Sequence, residues 1–379
     1  VITWNEDQRA LRAAIEAMGP DLAEGHLERD AAGEFPEASW KTLRATGLLG
    51  LPFAEEWGGL AQDLPTTMYV LEGLGNTCRD GGFSFSVSTH MVSTGVPLHR
   101  FGSPELKKRY LPRVCDGTLI GAHAITEPSG GSDVMAMRTT AVQDGDHYVL
   151  NGSKSFISNA PIADVFVVYA RTGKQGSPAA ITAFLVDRDT PGLTVGNPVS
   201  KMGLRTSPLA ELFFDDLRVP ATNVIGSPGA GFLILDHVMK WEILCSFAIN
   251  LGEMQHRLDR CVAYANQRTQ FGTKIASYQS VSNRVVDMRT ATETTRKWLY
   301  DTAEKVRAGR PVTVDLATTK LIASEANLTT AHHAITIFGA YGYTTEYGLE
   351  KDLRNAVAGT IYSGTSDVQR QRIATMIGL

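Results

Sequence analysis

The residue most suited to chemistry is a carboxylate inside an apolar stripe. Leu235, Val238, Glu242, Cys245, Ser246 and Ile249 recur at steps of three and four, the pattern of one buried helix face. This spacing turns Glu242 inward. Burial disfavours the charged form of a carboxylate, and a base poised nearer neutrality suits proton abstraction. The alternatives are a structural glutamate paired with a cation, or one rotated outward beside Lys240.

Four further segments carry residues that could hold a ligand. Ala124-Ile125-Thr126-Glu127-Pro128-Ser129-Gly130-Gly131-Ser132-Asp133 sets glycines among hydroxyls, so that backbone N–H groups can approach a ligand closely. Its plainer reading is a solvated interdomain turn. Asn151-Gly152-Ser153-Lys154-Ser155-Phe156-Ile157-Ser158 begins with a hairpin signal and continues as a strand, with Phe156 and Ser158 on one face. An aromatic and a hydroxyl so placed could pack on a flat ring and bond its edge, or could be core plus cap. Gln267-Arg268-Thr269-Gln270-Phe271-Gly272, followed by Gln279, ends a long helix. Arg268 there either complements the helix dipole or pairs with a phosphate. Ile337-Phe338-Gly339-Ala340-Tyr341-Gly342 and Tyr362-Ser363-Gly364-Thr365-Ser366-Asp367 are helix–loop transitions.

Three blocks of structure must position these residues. Residues 1–120 read as helices: Asn5 can cap a segment around 11–18 that Gly19-Pro20 interrupts, and further segments follow at 36–46, 66–75 and 103–115, the last with Pro104 in its first turn. Residues 121–222 break into short β-rich runs at 147–150, 165–169, 181–186 and 211–214, separated by Asp144-Gly145-Asp146, Asn151-Gly152 and Pro191-Gly192. This predicts an antiparallel barrel or sandwich. From 223 to 379 the helical period returns, with long segments at 231–266, 278–308 and 312–338 that suit an up-and-down four-helix bundle. The fold class is therefore α+β, ordered helices, β domain, helices.

Composition narrows the function classes. A net charge of -4 over 379 residues, with both signs interspersed, shows no basic stripe for nucleic acid. No apolar run approaches the ~20 residues that span a bilayer. The N-terminal helix pattern is not a signal peptide. Four cysteines without a C-x-x-C pair fit a reduced, cytoplasmic protein. The adjacent His332 and His333 would point ~100° apart on a helix, so no metal site is expected there.

In order and spacing across the whole chain, "AITEPSGGSD", "NGSKSFISNAPIADVFVV", "ELFFDDLRVP", "QRTQFG" and "IYSGTSDVQR" resemble the acyl-CoA dehydrogenase family. The resemblance implies FAD bound between the β domain and the bundle. Thr126 and Ser132 would line the flavin and the thioester end of the substrate, with Phe156 and Ser158 flanking the isoalloxazine ring. Arg268, Phe271 and Gln279, with the loop around Gly339, would reach a neighbouring subunit's FAD, and Thr365 and Asp367 would hold the ADP portion. Thr336 stands where relatives often carry Gln, and Ala340 replaces the second Gly of a pair.

The implied reaction removes an α-proton to a carboxylate while the β-hydride leaves to the flavin. In many relatives the base is a Glu ahead of Gly-Thr, where this chain has Ser363. A minority, including isovaleryl-type enzymes, place it on the first long bundle helix, at the position of Glu242. Relatives with Glu there commonly follow it with Arg; this chain has Ile243. The implied substrate is a short, branched or cyclic acyl thioester, either acyl-CoA or an acyl or prolyl group on a carrier protein. The implied acceptor is an electron-transfer flavoprotein or O₂, and the implied assembly a dimer of dimers. The alternative is a flavin monooxygenase that hydroxylates nitrogen or sulfur; such proteins typically lack the base, so an inward Glu242 speaks against it.

Overall fold

The computed structural model describes residues 2–379. The N-terminal helices are α1 (Glu6–Ala23), α2 (His26–Ala32), α3 (Glu37–Arg44), α4 (Leu64–Thr77), α5 (Gly81–Ser88), α6 (Val96–Phe101) and α7 (Pro104–Cys115). Asn5 closes a capping box with Gln8, and Ser103 caps α7 by accepting from the Leu106 amide. The expected break at Gly19-Pro20 does not occur: α1 runs through it to Ala23. Packing explains the glycine, because a Cβ on Gly19 would lie 2.1 Å from Thr77 Oγ1.

Between α5 and α6 the chain forms a π-helical segment, Thr89–Gly95. It is almost wholly buried, and a Cβ on Gly95 would strike the Phe53 ring. His90 at its start is locked on both ring nitrogens: Nε2 lies 2.9 Å from the Val114 carbonyl, and Nδ1 accepts from the Gly121 amide at 3.1 Å. The segment is thereby tied to the first strand of the sheet.

The sheet contains β1 (Gly121–Ala124), β2 (Thr140–Asp144), β3 (His147–Ser158), β4 (Val165–Arg171), β5 (Ile181–Asp187), β6 (Leu193–Val195), β7 (Leu209–Pro220) and β8 (Val224–Ile225). Its order is β6-β7-β3-β2-β4-β5-β8, with β1 beside β4. Two expectations need correction. The sheet is mixed, since β1 pairs with β4 in parallel and β2 touches β4 in parallel at Thr140–Arg171. Among the described residues β6 and β8 lie at its two ends, so the strand order is not that of a closed barrel. Asn151-Gly152 is also no turn. It sits within β3, where register against β7 shifts between Leu150 and Gly152. Asn151 instead clasps Asp216 through both its side-chain amide and its oxygen, and Gly152 has a φ of +142° against Thr139.

The last block is led by α8 (Gly231–Gln267), α9 (Gln279–Arg307) and α10 (Thr313–Phe338), near the expected bounds. A two-stranded hairpin of β9 (Thr269–Gln270) and β10 (Thr273–Lys274) joins α8 to α9. Three shorter helices close the chain: α11 (Ala340–Tyr343), α12 (Leu349–Gly359) and α13 (Ser366–Met376). One apolar cluster runs from α4 and the π segment through α8 into the bundle, and a second fills the sheet.

Candidate active site

The stripe on α8 is buried as its spacing predicts: Leu235, Val238, Cys245, Ser246 and Ile249 are all in the core. Glu242 lies in line with them and keeps 20% of its side chain accessible, enough to meet a ligand. Three separate parts of the chain converge on its carboxylate. Ser93, from the π segment, donates to Oε2 at 2.9 Å. Ser363, ahead of α13, donates to Oε1 at 2.5 Å. His123, on β1, brings Nδ1 to 3.8 Å from Oε2. Burial pushes the Glu242 carboxyl above the usual carboxylate range, and the bonds from Ser363 and Ser93 draw it part of the way back.

Each of these neighbours is held by its own scaffold. Ser363 has a φ of +54°, and Gln369 Nε2 donates to the carbonyls of Ser363 and Gly364. The Thr365 hydroxyl caps α13 by accepting from the Val368 amide. Ser88 and Ser246 pair hydroxyl to hydroxyl at 3.2 Å, and Tyr362 donates its hydroxyl to Asn250. Of these hydroxyls, Ser93 and Ser363 reach the Glu242 carboxylate itself. Ile243 is buried and apolar, so the arginine that commonly follows such a glutamate in relatives has no counterpart there.

Thr126 lies three residues beyond His123, in the glycine-rich loop. A buried ion pair fixes this loop: Lys154 Nζ donates to the Ile125 carbonyl and to Glu127 Oε1, while Glu127 accepts from the amides of Arg138 and Thr139. Burial pushes Lys154 down to about 8 against the pull of Glu127. The Ser155 amide bonds the Thr126 carbonyl, which sets β3 beside the loop. Ser132 is exposed in that loop. Phe156 is 65% exposed in a left-handed conformation, φ +59°, where β3 and β7 shift register between Lys154 and Ile157. Ser158 follows two residues later, half-buried. An exposed aromatic held in strained backbone beside free hydroxyls fits a flat, heteroatom-edged ring. Asp367 is exposed in the first turn of α13, whose N-terminal amides suit a phosphate.

Arg268, Phe271, Gln279 and Gly339 form a second group. From Glu242 to Arg268 is about 39 Å along the line of α8, so Arg268 lies far from the Glu242 carboxylate. Arg268, Gln279, Gly339 and Ala340 are exposed, and Phe271 is 96% exposed with a φ of +51°. The Arg268 guanidinium sits 5.7 Å from the centre of the Tyr341 ring. Thr336 turns its hydroxyl back to the His332 carbonyl, while Gly339 still makes the sharp turn, φ +61°.

Ser93, His123 and Tyr169 were not singled out by sequence reasoning. The π segment has no amphipathic period, and nothing local in Gly121-Ala122-His123-Ala124 points His123 at a helix 119 residues later. The one available signal was a histidine on the strand that leads into the glycine-rich loop.

Three family models match the chain: the acyl-CoA dehydrogenase N-terminal domain at residues 5–118, the middle domain at 122–217 and the C-terminal domain at 229–378. An L-prolyl-[peptidyl-carrier protein] dehydrogenase from Serratia sp. is 40% identical over 90% of this chain and 88% of its own length. A short-chain-specific acyl-CoA dehydrogenase from Clostridium acetobutylicum is 36% identical over 96% of this chain and 97% of its own. The FAD complex of PigA superposes with a TM-score of 0.97 at 37% identity, covering 100% of this chain and 99% of that one.

Proposed function

The chain belongs to the acyl-CoA dehydrogenase family, and from that premise we propose that it oxidises a cyclic aminoacyl thioester of the prolyl kind, held on a carrier protein, with Glu242 as the base. It is an FAD-dependent oxidoreductase that dehydrogenates the CH–CH bond of acyl thioesters. The observation that carries the finer reading is the polar setting of the base. Ser93 and Ser363 bond the Glu242 carboxylate, and beside it His123 Nε2 and the Tyr169 hydroxyl are buried without partners, so a straight hydrocarbon chain would leave polar groups stranded. A ring bearing a nitrogen suits them better. The relative from Serratia supports carrier-bound delivery.

The residues then divide the work. Ser93 and Ser363 hold the Glu242 carboxylate in one rotamer, aimed at the α-proton. Burial raises its basicity, and the two hydroxyls offset part of that rise. Thr126 and Ser132 would line the flavin and the thioester, Phe156 and Ser158 would flank the isoalloxazine, and Thr365 and Asp367 would hold the ADP portion at the start of α13. FAD held there would supply the acceptor for the hydride that leaves the β-carbon. Arg268, Phe271, Gln279 and Gly339 reach the FAD of a neighbouring copy in a dimer of dimers. Residues 1–120, 121–222 and 223–379 form the three domains. The electrons pass on to an electron-transfer flavoprotein or to O₂. Four buried, unpaired cysteines suit the reducing cytoplasm.

The deciding experiment is anaerobic bleaching of the flavin. Prolyl-carrier protein should bleach it at least ~10-fold faster than butyryl-CoA or isovaleryl-CoA, a gap of ~1.4 kcal/mol in the barrier. Rapid bleaching by butyryl-CoA, with none by the prolyl carrier, would overturn the substrate assignment.

A further inference from the structure

We propose that His123 is a positioning residue for the base: its Nδ1–H supplies a third donor to the Glu242 carboxylate, in place of the arginine that Ile243 excludes. The inference rests on Glu242 being the base. The side chain of His123 is 7% exposed and reaches Glu242 from the sheet, across the domain boundary, with Nδ1 at 3.8 Å from Oε2. Its ring is fixed edge-on against Tyr169, 80° between planes and 5.1 Å between centres. His123 Nε2 and the Tyr169 hydroxyl are both buried without a hydrogen-bond partner.

Electrostatics chooses the tautomer. Burial pushes His123 down to about 3, with Lys154 adding to the effect, so the ring is neutral and carries one N–H. An Nδ1 lone pair facing a carboxylate oxygen would be repelled, whereas an Nδ1–H would be attracted. The proton therefore sits on Nδ1, and Nε2 is left as a bare acceptor. At 3.8 Å the contact is longer than a hydrogen bond, and it must shorten by about 1 Å to become one. Catalytic hydrogen bonds are often long in the ligand-free enzyme and tighten when substrate fills the site.

The other groups around the pair leave this role open to His123. Tyr169 on β4 is held un-ionised by burial and by Glu242, and Tyr362 by burial, Glu253 and Glu242. Lys154 on β3 is committed to Glu127. Cys245, one turn along α8, stays a thiol through burial. Ser93 and Ser363 are neutral hydroxyls. Among the described residues no lysine or arginine lies within ion-pair distance of Glu242. A neutral donor steadies the carboxylate without making it as acidic as a guanidinium would.

The test follows protonation of Glu242 in the holoenzyme with its acyl site filled by an S-(pyrrolidin-2-ylmethyl) pantetheine thioether, whose α-proton is not acidic, through the infrared carboxyl band that Glu242→Gln removes. His123→Phe keeps a flat ring but no donor; its midpoint should rise by about one pH unit. The rising limb of anaerobic flavin reduction against pH should move with it. His123→Leu removes the donor with a smaller side chain and should give the same shift. His123→Gln, which retains an N–H, should bring the midpoint most of the way back. An unmoved midpoint in either donor-free variant, with slower turnover alone, makes His123 a packing residue and overturns the inference. Substrate-driven bleaching that survives Glu242→Gln would instead remove the base assignment itself, whatever the midpoints do.

Discussion

Replacing Glu242 by glutamine separates chemistry from architecture. Glutamine has nearly the same shape and can keep both neighbours. Its Oε1 can accept from Ser363, as Glu242 Oε1 does at 2.5 Å, and its amide can donate to the Ser93 hydroxyl that now donates to Oε2. The side chain is a fifth exposed and carries no cationic partner, so no buried charge is stranded. Stability should change by less than about 1 kcal/mol, in the range of a hydroxyl bond to a neutral rather than an ionised oxygen. The flavin spectrum should be intact. What glutamine cannot do is accept the α-proton, and removal of a positioned base costs ~10²–10⁴-fold, or about 3–5 kcal/mol in the barrier. Stopped-flow absorbance under anaerobic conditions reads this directly as the rate of bleaching. A variant that bleaches within ~10-fold of the parent, a difference of only ~1.4 kcal/mol, would refute the assignment.

Four other outcomes follow from the geometry. Ser363→Ala removes the shortest bond to the base; the carboxyl, already raised by burial, should rise further, so the ascending limb of rate against pH moves to higher pH. Lys154→Met strands Glu127, whose side chain is 5% exposed, and should cost about 3–5 kcal/mol in urea unfolding together with loss of FAD as the Thr126 loop loosens; Lys154→Met combined with Glu127→Leu should recover part of that loss. His90 and His123 are held neutral by burial, at about 4 and about 3. The unfolded chain therefore binds protons that the folded one refuses, and stability should fall as pH drops below about 6.5, by up to about 1.4 kcal/mol per pH unit per histidine; urea midpoints measured across that window check the slope, which His90→Gln should reduce. Phe271→Asp puts a charge on a ring that is 96% exposed in the single chain; it should lower the mass seen by light scattering and weaken FAD retention, whereas unchanged mass and flavin content would place Phe271 outside any subunit contact.

What was legible in the sequence follows from where the determining forces lie. The three long bundle helices and Glu242 were readable because a helix declares its buried face through local spacing, and Glu242 occupies one step of that spacing. The β domain was readable as β but not as to its order, since β1 joins β4 in parallel through contacts 44 residues apart that no alternation records. Asn151-Gly152 misled because a hairpin dipeptide and a bulge both call for glycine; the choice was made by Asp216 on the neighbouring strand. The companions of Glu242 lay beyond reach for a related reason. Ser93 sits in a π segment buried on every side, so it has no polar face to reveal its direction. His123 looks like any histidine on a short strand until His90 ties the π segment to that strand and α8 packs on that segment. An inward-facing carboxylate such as Glu242 can be found from the helix that carries it. The groups that orient Glu242 and temper its acidity come from elements that meet only in the folded chain: Ser93 and Ser363 donate to a carboxylate that burial alone would push higher still.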